Sequence, residues 1–405
     1  MTGLELKPIA QGTITSPRGF VAGACCSGIK QGDGVLDLGM LCSEAPCVAA
    51  GVFTTNKVKA APVLLCQQRL AAGSAQAVVV NSGCANACTG DRGLADALEM
   101  ADIAGEKLGI RSEAVLVAST GVIGVPLPMD RVRAGIGQIV VSRHGGHQLA
   151  RAMMTTDTVA KEIAVSTTIG GRETVIGGVA KGAGMIYPDM ATLLCFVATD
   201  AAVDASLARA ALQRAVDASF NMIAVDGDTS TNDTVLLLAN GLAGNEPIRA
   251  ETAEAELFEQ ALGEVCLHLA KCIARDGEGA TKLIEVRVEG ARSLREARLA
   301  ARAVVSSPLV KAAVHGGDPN WGRIVAVVGR SGAEVELPRV DLYLNGLCLL
   351  RKGCPEPLDS AQSRQLLTGA EVFVRVCLNL GGEEAVAWGC DLSEEYVRIN
   401  SDYTT

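Results

Sequence analysis

The sequence predicts an α/β layered protein. Three observations lead there: short apolar runs that end in glycine or serine turns, intervening segments with apolar residues at helical spacing, and one strictly alternating run near residue 285. A length of 405 residues exceeds one ordinary core and predicts two domains.

The elements follow in chain order. Ala77-Val-Val-Val80 and Ala114-Val-Leu-Val-Ala118 read as buried strands, each closing on a Ser/Gly turn. Another strand-like apolar run opens at Thr192, just after the glycine turn Lys181-Gly-Ala-Gly. Residues 205–219 read as a helix with Asp204 as its N-cap and Leu207, Ala211, Leu212 and Val216 on one stripe. The stretch 240–250, with its glycines and Pro247, is the candidate linker, dividing 1–240 from 241–405. A longer helix spans about 255–274, with Phe258, Leu262, Cys266, Leu269 and Ile273 at helical spacing. Gly277 is its expected C-cap, which would make Glu278 project from a rigid turn. Ile284-Glu-Val-Arg-Val-Glu289 alternates strictly, the mark of an antiparallel sheet with one wet face. Ser293-Leu-Arg-Glu296 is a capping box opening the next helix, and Asp359-Ser-Ala-Gln362 is a weaker one.

Composition narrows the function classes. Hydrophobic content of 49% and charged content of 20% describe a globular chain. Aromatics are only 3%, so the core relies on small side chains and close backbone approach. A net charge of −9 argues against nucleic acid or an anionic membrane as the main partner. With neither a signal-like N-terminus nor a membrane-length apolar run, a cytoplasmic protein is expected. The fourteen cysteines form no C-x-x-C pair and mostly sit in apolar runs, where cysteine acts as a small hydrophobe. Cys84 and Cys88 are spaced to meet on a helix, but without nearby histidines a metal site is the weaker reading. His144 and His147 flank Gly-Gly in an expected loop.

Several motifs could carry chemistry. If the bond between Ala191 and Thr192 were cut, Thr192 would hold a hydroxyl and a free α-amine, nucleophile and base together. An α-amine titrates at about 7.7–8.0, already suited to proton transfer near neutral pH. The plain alternative is a strand whose first residue is threonine. Lys181-Gly-Ala-Gly lacks the spacing and ending of a nucleotide phosphate loop. Ser119-Thr-Gly-Val-Ile-Gly124 follows a buried strand, and Thr120 and Gly121 are candidate oxyanion donors. Asn81-Ser-Gly-Cys-Ala-Asn-Ala-Cys-Thr-Gly90 and Asp226-Gly-Asp-Thr-Ser-Thr-Asn-Asp233 read as hydrogen-bonded polar turns. The second lacks the terminal glutamate of a calcium loop. Arg323 in Asp318-Pro-Asn-Trp-Gly-Arg323 reads as an ion-paired or stacked arginine.

Together with Val52-Phe-Thr-Thr-Asn, Met154-Thr-Thr-Asp-Thr, Asp276-Gly-Glu-Gly-Ala-Thr-Lys and the tail Ile399-Asn, these motifs give nearly the whole chain its resemblance. It resembles the ornithine acetyltransferases, or glutamate N-acetyltransferases, of arginine biosynthesis. That resemblance implies a four-layer αββα fold with intertwined domains. It implies self-cleavage between Ala191 and Thr192, giving chains 1–191 and 192–405, with α2β2 assembly expected. Thr192 would take acetyl from N-acetylornithine, release ornithine and pass the acetyl to glutamate, making N-acetylglutamate without a cofactor. Thr120 and Gly121 match the oxyanion pair. Thr155, Lys181, Thr192, Glu278, Asn400 and Thr405 match substrate-binding positions. A bifunctional version would also use acetyl-CoA as co-substrate. Other readings are a hydrolase or aminopeptidase of the same fold, a nucleotide-binding protein and a zinc-binding cysteine protein.

Overall fold

The computed structural model describes residues 6–187, 193–359 and 365–402. Its strands in chain order are β1 (Lys7–Pro8), β2 (Phe20–Cys25), β3 (Leu38–Phe53), β4 (Ser74–Cys84), β5 (Val115–Val122), β6 (Lys161–Ile169), β7 (Arg172–Lys181) and β8 (Leu194–Thr199). Then come β9 (Ile223–Ala224), β10 (Thr234–Ala239), β11 (Leu283–Ala291), β12 (Asp341–Leu344), β13 (Leu347–Arg351), β14 (Cys354–Pro355), β15 (Glu371–Cys377) and β16 (Glu383–Cys390). The helices used below are α1 (Ala61–Arg69), α2 (Gly90–Leu108), α3 (Met129–Gln138), α4 (Gly146–Met153), α5 (Ala205–Ala218), α6 (Ala253–Arg275) and α7 (Leu294–Val305).

Among the described residues, one sheet of nine strands runs β1-β6-β7-β8-β10-β3-β4-β5, with β2 also paired to β3. The long strand β3 makes this sheet into two layers. Its first part, Leu38 to Cys42, pairs with β4, and its last part, Val48 to Phe53, pairs with β10. A register shift between Cys42 and Cys47 lets the strand turn from one layer into the other. Val78, Val80, Leu116 and Ala118 from one layer meet Phe196, Ala198, Leu236 and Leu238 from the other. Because side chains alternate along a strand, the intervening residues face outward to helices. Ala77, Val79, Val115 and Val117 pack under α2 and α3. Cys195, Val197, Val235 and Leu237 pack under α5 and α6. The result is the expected helix-sheet-sheet-helix order.

A second sheet of seven strands runs β14-β13-β12-β15-β11-β16-β9. Helix α7 covers β11 and β16, while α6 touches both sheets. The short strand β9 precedes β10 in the chain yet pairs with β16 at the edge of the second sheet. The two halves are therefore intertwined around residues 223–239.

Local readings meet varied outcomes. Asp204 caps α5 by accepting the Ser206 N–H, and α6 extends one or two residues beyond its expected ends. Ser293 accepts the Glu296 N–H at 3.3 Å, but Glu296 accepts from Glu334 N–H at 3.4 Å. The 284–289 run keeps its buried-exposed alternation, but β11 is parallel to β15 and antiparallel only to β16. One wet face is compatible with either partner orientation, which is why alternation misjudged the pairing. Gly277 is not the left-handed cap; Gly279 takes φ +69°, whereas a Cβ on Gly277 would come within 2.6 Å of Cys390 Sγ. His147 lies in the first turn of α4 rather than in a loop. Cys84 ends β4 and Cys88 follows it at φ +57°, so no helix pairs them. Arg323 donates to the Leu309 carbonyl at 2.8 Å, tying two helices; among the described residues it makes neither an ion pair nor a stack. The capping box Asp359–Gln362 runs into 360–364, outside the described residues.

Candidate active site

The parallel strands β4 and β5 end side by side, with Ser82 opposite Thr120 and Gly83 opposite Gly121. Their closeness demands glycine: a Cβ on Gly121 would stand 2.6 Å from Cys84 N, and Gly121 sits at φ +128°. Asn232 pins both strand ends, its Nδ2 donating to Ala85 O at 2.6 Å and Ser119 O at 2.9 Å. Three polar turns chosen from the sequence thus converge at one place.

Lys181, the last residue of β7, points into that place. Its Nζ donates to Thr155 Oγ1 at 2.8 Å and Thr120 Oγ1 at 3.5 Å, and lies 3.9 Å from Asp157 Oδ2. The side chain is 2% exposed. Burial pulls the ammonium below the usual lysine range, Asp157 opposes this, and neighbouring Lys161 adds to it. A lysine so placed can shed solvent only because three oxygens replace water around its Nζ.

Asp157 organises the cations. It accepts from Lys161 Nζ at 2.7 Å, Gly182 N–H at 2.6 Å and Thr155 N–H at 3.0 Å. Burial disfavours its charge, but Lys181, Lys161 and the Gly182 N–H outweigh burial and hold the carboxyl down at about 2. Lys161 also donates to Asp276 Oδ2 at 2.6 Å, which links the network to the end of α6.

Glu278 and Asn400 form the other side. Asn400 Nδ2 donates to Glu278 Oε2 at 2.7 Å, and Glu278 N–H donates to Ala183 O at 2.9 Å. A Cβ on Gly184 would lie 2.6 Å from Glu278 Oε2, so that glycine makes room for the carboxylate. Tyr396, on the same C-terminal helix as Asn400, has its phenol pushed up by burial and by the carboxylates of Asp226 and Glu278.

The structure therefore joins Thr120, Gly121, Thr155 and Lys181 in one cluster, and Glu278 with Asn400 in an adjoining one. Ala191, Thr192 and Thr405 lie outside the described residues. What the sequence reading missed is the framing of 188–192. Asp226 accepts from Met185 N–H at 2.5 Å and Ile186 N–H at 2.9 Å on one flank. Asp233 accepts from Leu193 N–H at 3.0 Å on the other. Burial raises both carboxyls, Asp233 well above the ordinary range. Asp233 is fully buried, and its Oδ2 has no partner among the described residues. Two acids bracketing a threonine-rich polar turn were visible in Asp226-Gly-Asp-Thr-Ser-Thr-Asn-Asp233; their targets were not. Lys161 and Asp157 also went unassigned, although charged residues are scarce in this small-residue texture.

Fold and site together define the class: an acyltransferase built on a four-layer αββα core. The profile of the ArgJ family matches residues 21–405, and the chain belongs to that family. A relative from Symbiobacterium thermophilum, named arginine biosynthesis bifunctional protein ArgJ, is 57% identical over 97% of this chain and 99% of its own. A protein of the same name from Dehalococcoides mccartyi is 53% identical over the full length of both. The crystal structure of arginine biosynthesis bifunctional protein ArgJ from Bacillus halodurans aligns at TM-score 0.50 and 44% identity, covering 51% of this chain and 98% of that one. The resemblance read from the motifs and the acetyltransferase role in arginine biosynthesis are thereby borne out. No helix among the described residues is long and apolar enough to cross a membrane.

Proposed function

We propose that the protein cleaves its own chain between Ala191 and Thr192 and then carries acetyl on Thr192 from N-acetylornithine to glutamate. The observation that carries this reading is the buried Lys181 side chain held against Thr120 and Thr155, together with Asp226 and Asp233, which hold the residues on either side of 188–192. The Bacillus halodurans chain adds support, since it covers about half of this one, as a relative processed near this position would.

In the proposed cycle the free α-amine of Thr192 takes the hydroxyl proton while Oγ attacks the acetyl carbonyl. Thr120 and Gly121 stabilise the oxyanion. The C–N bond then breaks, the amine returns the proton to the leaving nitrogen, and ornithine departs. Glutamate's α-amine attacks the acetyl ester by the reverse sequence, releasing N-acetylglutamate. Lys181 and Thr155 receive a substrate α-carboxylate, which would satisfy the cation that burial leaves short of charge. Glu278, steadied by Asn400, receives the ornithine side-chain ammonium, and Thr405 completes the pocket. No cofactor enters this cycle; acetyl-CoA is a second acetyl donor in the bifunctional reading. The two products, 1–191 and 192–405, stay joined because β8 and β10 of one pair with β7 and β3 of the other. Assembly as α2β2 in the cytoplasm completes the proposal.

The test combines intact mass with kinetics. Two fragments split at 191/192, a single chain for Thr192→Ala, and parallel double-reciprocal lines are expected. An unsplit active protein, or acetate released in place of acetylglutamate, refutes the reading.

A further inference from the structure

The turn that presents Glu278 is held by groups the proposed cycle does not use. It joins the end of α6 to the start of β11, and Gly279 within it takes the left-handed φ of +69°. At its near end Glu278 N–H donates to Ala183 O. At its far end one carboxylate, Asp391, accepts from Thr281 N–H and Lys282 N–H at 2.8 Å each and from the Thr281 hydroxyl at 2.5 Å. Asp391 directly follows β16, and Ser393 just beyond it donates to Gly279 O at 2.6 Å. A Cβ on Gly279 would lie 2.6 Å from Tyr396 N, so the C-terminal helix (Glu394–Asp402) that carries Asn400 packs against this turn.

The Asp391 side chain is 0% exposed, and among the described residues no lysine or arginine pairs with it. Burial opposes its charge, but the Thr281 hydroxyl, His315 and the two turn N–H groups hold the carboxyl below the usual range. Its partner from outside the turn is His315, the last residue of α8 (Pro308–His315), whose Nδ1 lies 2.7 Å from Asp391 Oδ2. A carboxylate only accepts, so Nδ1 carries the hydrogen. With it, each Asp391 oxygen accepts two hydrogen bonds. His315 Nε2 faces Glu394 at 3.4 Å, a weak contact because that side chain is 94% exposed. The neighbouring cations are engaged elsewhere: Lys282 Nζ donates to Val314 O at 2.8 Å, and Lys311 Nζ donates to Cys390 O.

We propose that His315 is a positioning residue for the acetyl-donor half of the reaction: it orients Asp391, Asp391 fixes Thr281 and Lys282, and the fixed turn aims Glu278 at the ornithine side-chain ammonium. The inference rests on the Glu278 role proposed above and adds the means by which that carboxylate is aimed. Glu278 stands next to a glycine, the residue with the widest backbone freedom, so its direction depends on an anchor at each end of the turn. The attraction between two charges falls with their separation, so a displaced carboxylate binds the ammonium less well. Glutamate brings no side-chain ammonium, and its half-reaction does not draw on this anchor. In a ping-pong cycle kcat/KM for each substrate reports its own half-reaction, so the two effects are read separately.

The test uses the processed enzyme, glutamate as acceptor and two donors: N-acetylornithine, and N-acetylnorvaline, which has the same carbon chain without the ammonium. His315→Ala should lower kcat/KM for N-acetylornithine about tenfold, the scale of one charge-assisted hydrogen bond. Its kcat/KM for N-acetylnorvaline and for glutamate should stay within twofold of wild type. His315→Asn, whose side-chain N–H takes the place of Nδ1–H, should recover most of the loss. His315→Gln, which places its N–H where Nε2 lies, should not. An equal fall for both donors and glutamate shows a histidine that only supports the fold and overturns the proposal, as does an alanine variant unchanged with N-acetylornithine. Where the alanine variant fails to fold, the other two decide: an asparagine variant no better than the glutamine one overturns the proposal. A wild-type enzyme that uses both donors equally well overturns the Glu278 reading itself, and the positioning role with it.

Discussion

Replacing Asp157 by asparagine removes the single charge that two buried lysines share. The carboxyl side chain is 0% exposed, lies 2.7 Å from Lys161 Nζ and 3.9 Å from Lys181 Nζ, and is held at about 2 against an ordinary 3.8. That difference corresponds to roughly 2–3 kcal/mol of stability at neutral pH. Breaking a buried pair outright costs about 3–5 kcal/mol. Lys161 retains Asp276 at 2.6 Å, so the lower figure applies, with Lys181 bearing most of the loss. The sign with pH is fixed. A carboxyl depressed by folding contributes fully above its unfolded value, and the contribution fades as pH falls toward 2. The comparison belongs in a Thr192→Ala background, where neither protein is processed. Urea midpoints at pH 7 should give Asp157→Asn a deficit of about 2–3 kcal/mol that narrows as the pH drops below 4. In the processed enzyme, kcat/KM should fall on the order of a hundredfold because Lys181 loses its orientation. Equal midpoints at pH 7, or a deficit that grows on acidification, would refute the account of Asp157 as the organiser of the two cations.

Gly184→Ala should leave the urea midpoint within about 1 kcal/mol, because the atoms that must yield are the end of the flexible Glu278 side chain. It should raise KM for N-acetylornithine about tenfold by pushing Glu278 off Asn400; an unchanged KM would remove Glu278 from the ornithine site. Asp233→Asn tests the opposite sign of linkage. Burial raises Asp233, so the folded protein holds a proton that the unfolded chain releases, and stability falls as pH rises above 3.8. In the Thr192→Ala background the asparagine variant should therefore gain on its parent between pH 4.5 and 7.5, and a loss over that interval would show Asp233 to be ionised in the fold.

How much of this was legible differs by element. The strands at 77–80 and 114–118 were readable because uninterrupted apolar runs can only be buried on both faces, and both lie inside the four-layer core. Layer order was not readable from those runs. It depends on β3 bending between Cys42 and Cys47, a shift set by partners far along the chain. The same division holds in the site. Thr120 and Gly121 announced themselves as candidate oxyanion donors through a glycine turn at a strand end, where only glycine tolerates the approach of β4 to β5, whereas Lys181 was singled out by the family resemblance. Asp157 and Asp233 both lay in quoted motifs, but their roles were not legible, because their meaning lies in what folds against them: two lysines for one, the Leu193 N–H for the other.

That contrast bears on why the site is built as it is. Lys181 is costly to bury, and Asp157 offsets that cost while leaving the ammonium able to take a further anion. Had Asp157 paired Lys181 as closely as it pairs Lys161, a substrate carboxylate would find no charge to meet. The 3.9 Å separation, against 2.7 Å to Lys161, leaves the cation partly uncompensated, so that an incoming carboxylate completes the network. On the proposed reading the same logic extends to Glu278, which Asn400 holds by an uncharged donor rather than by a lysine or arginine, leaving it open to an ammonium. On the proposed reading each half of the site is thus deficient by one charge, of opposite sign, and a zwitterionic amino acid with a charged side chain would supply both.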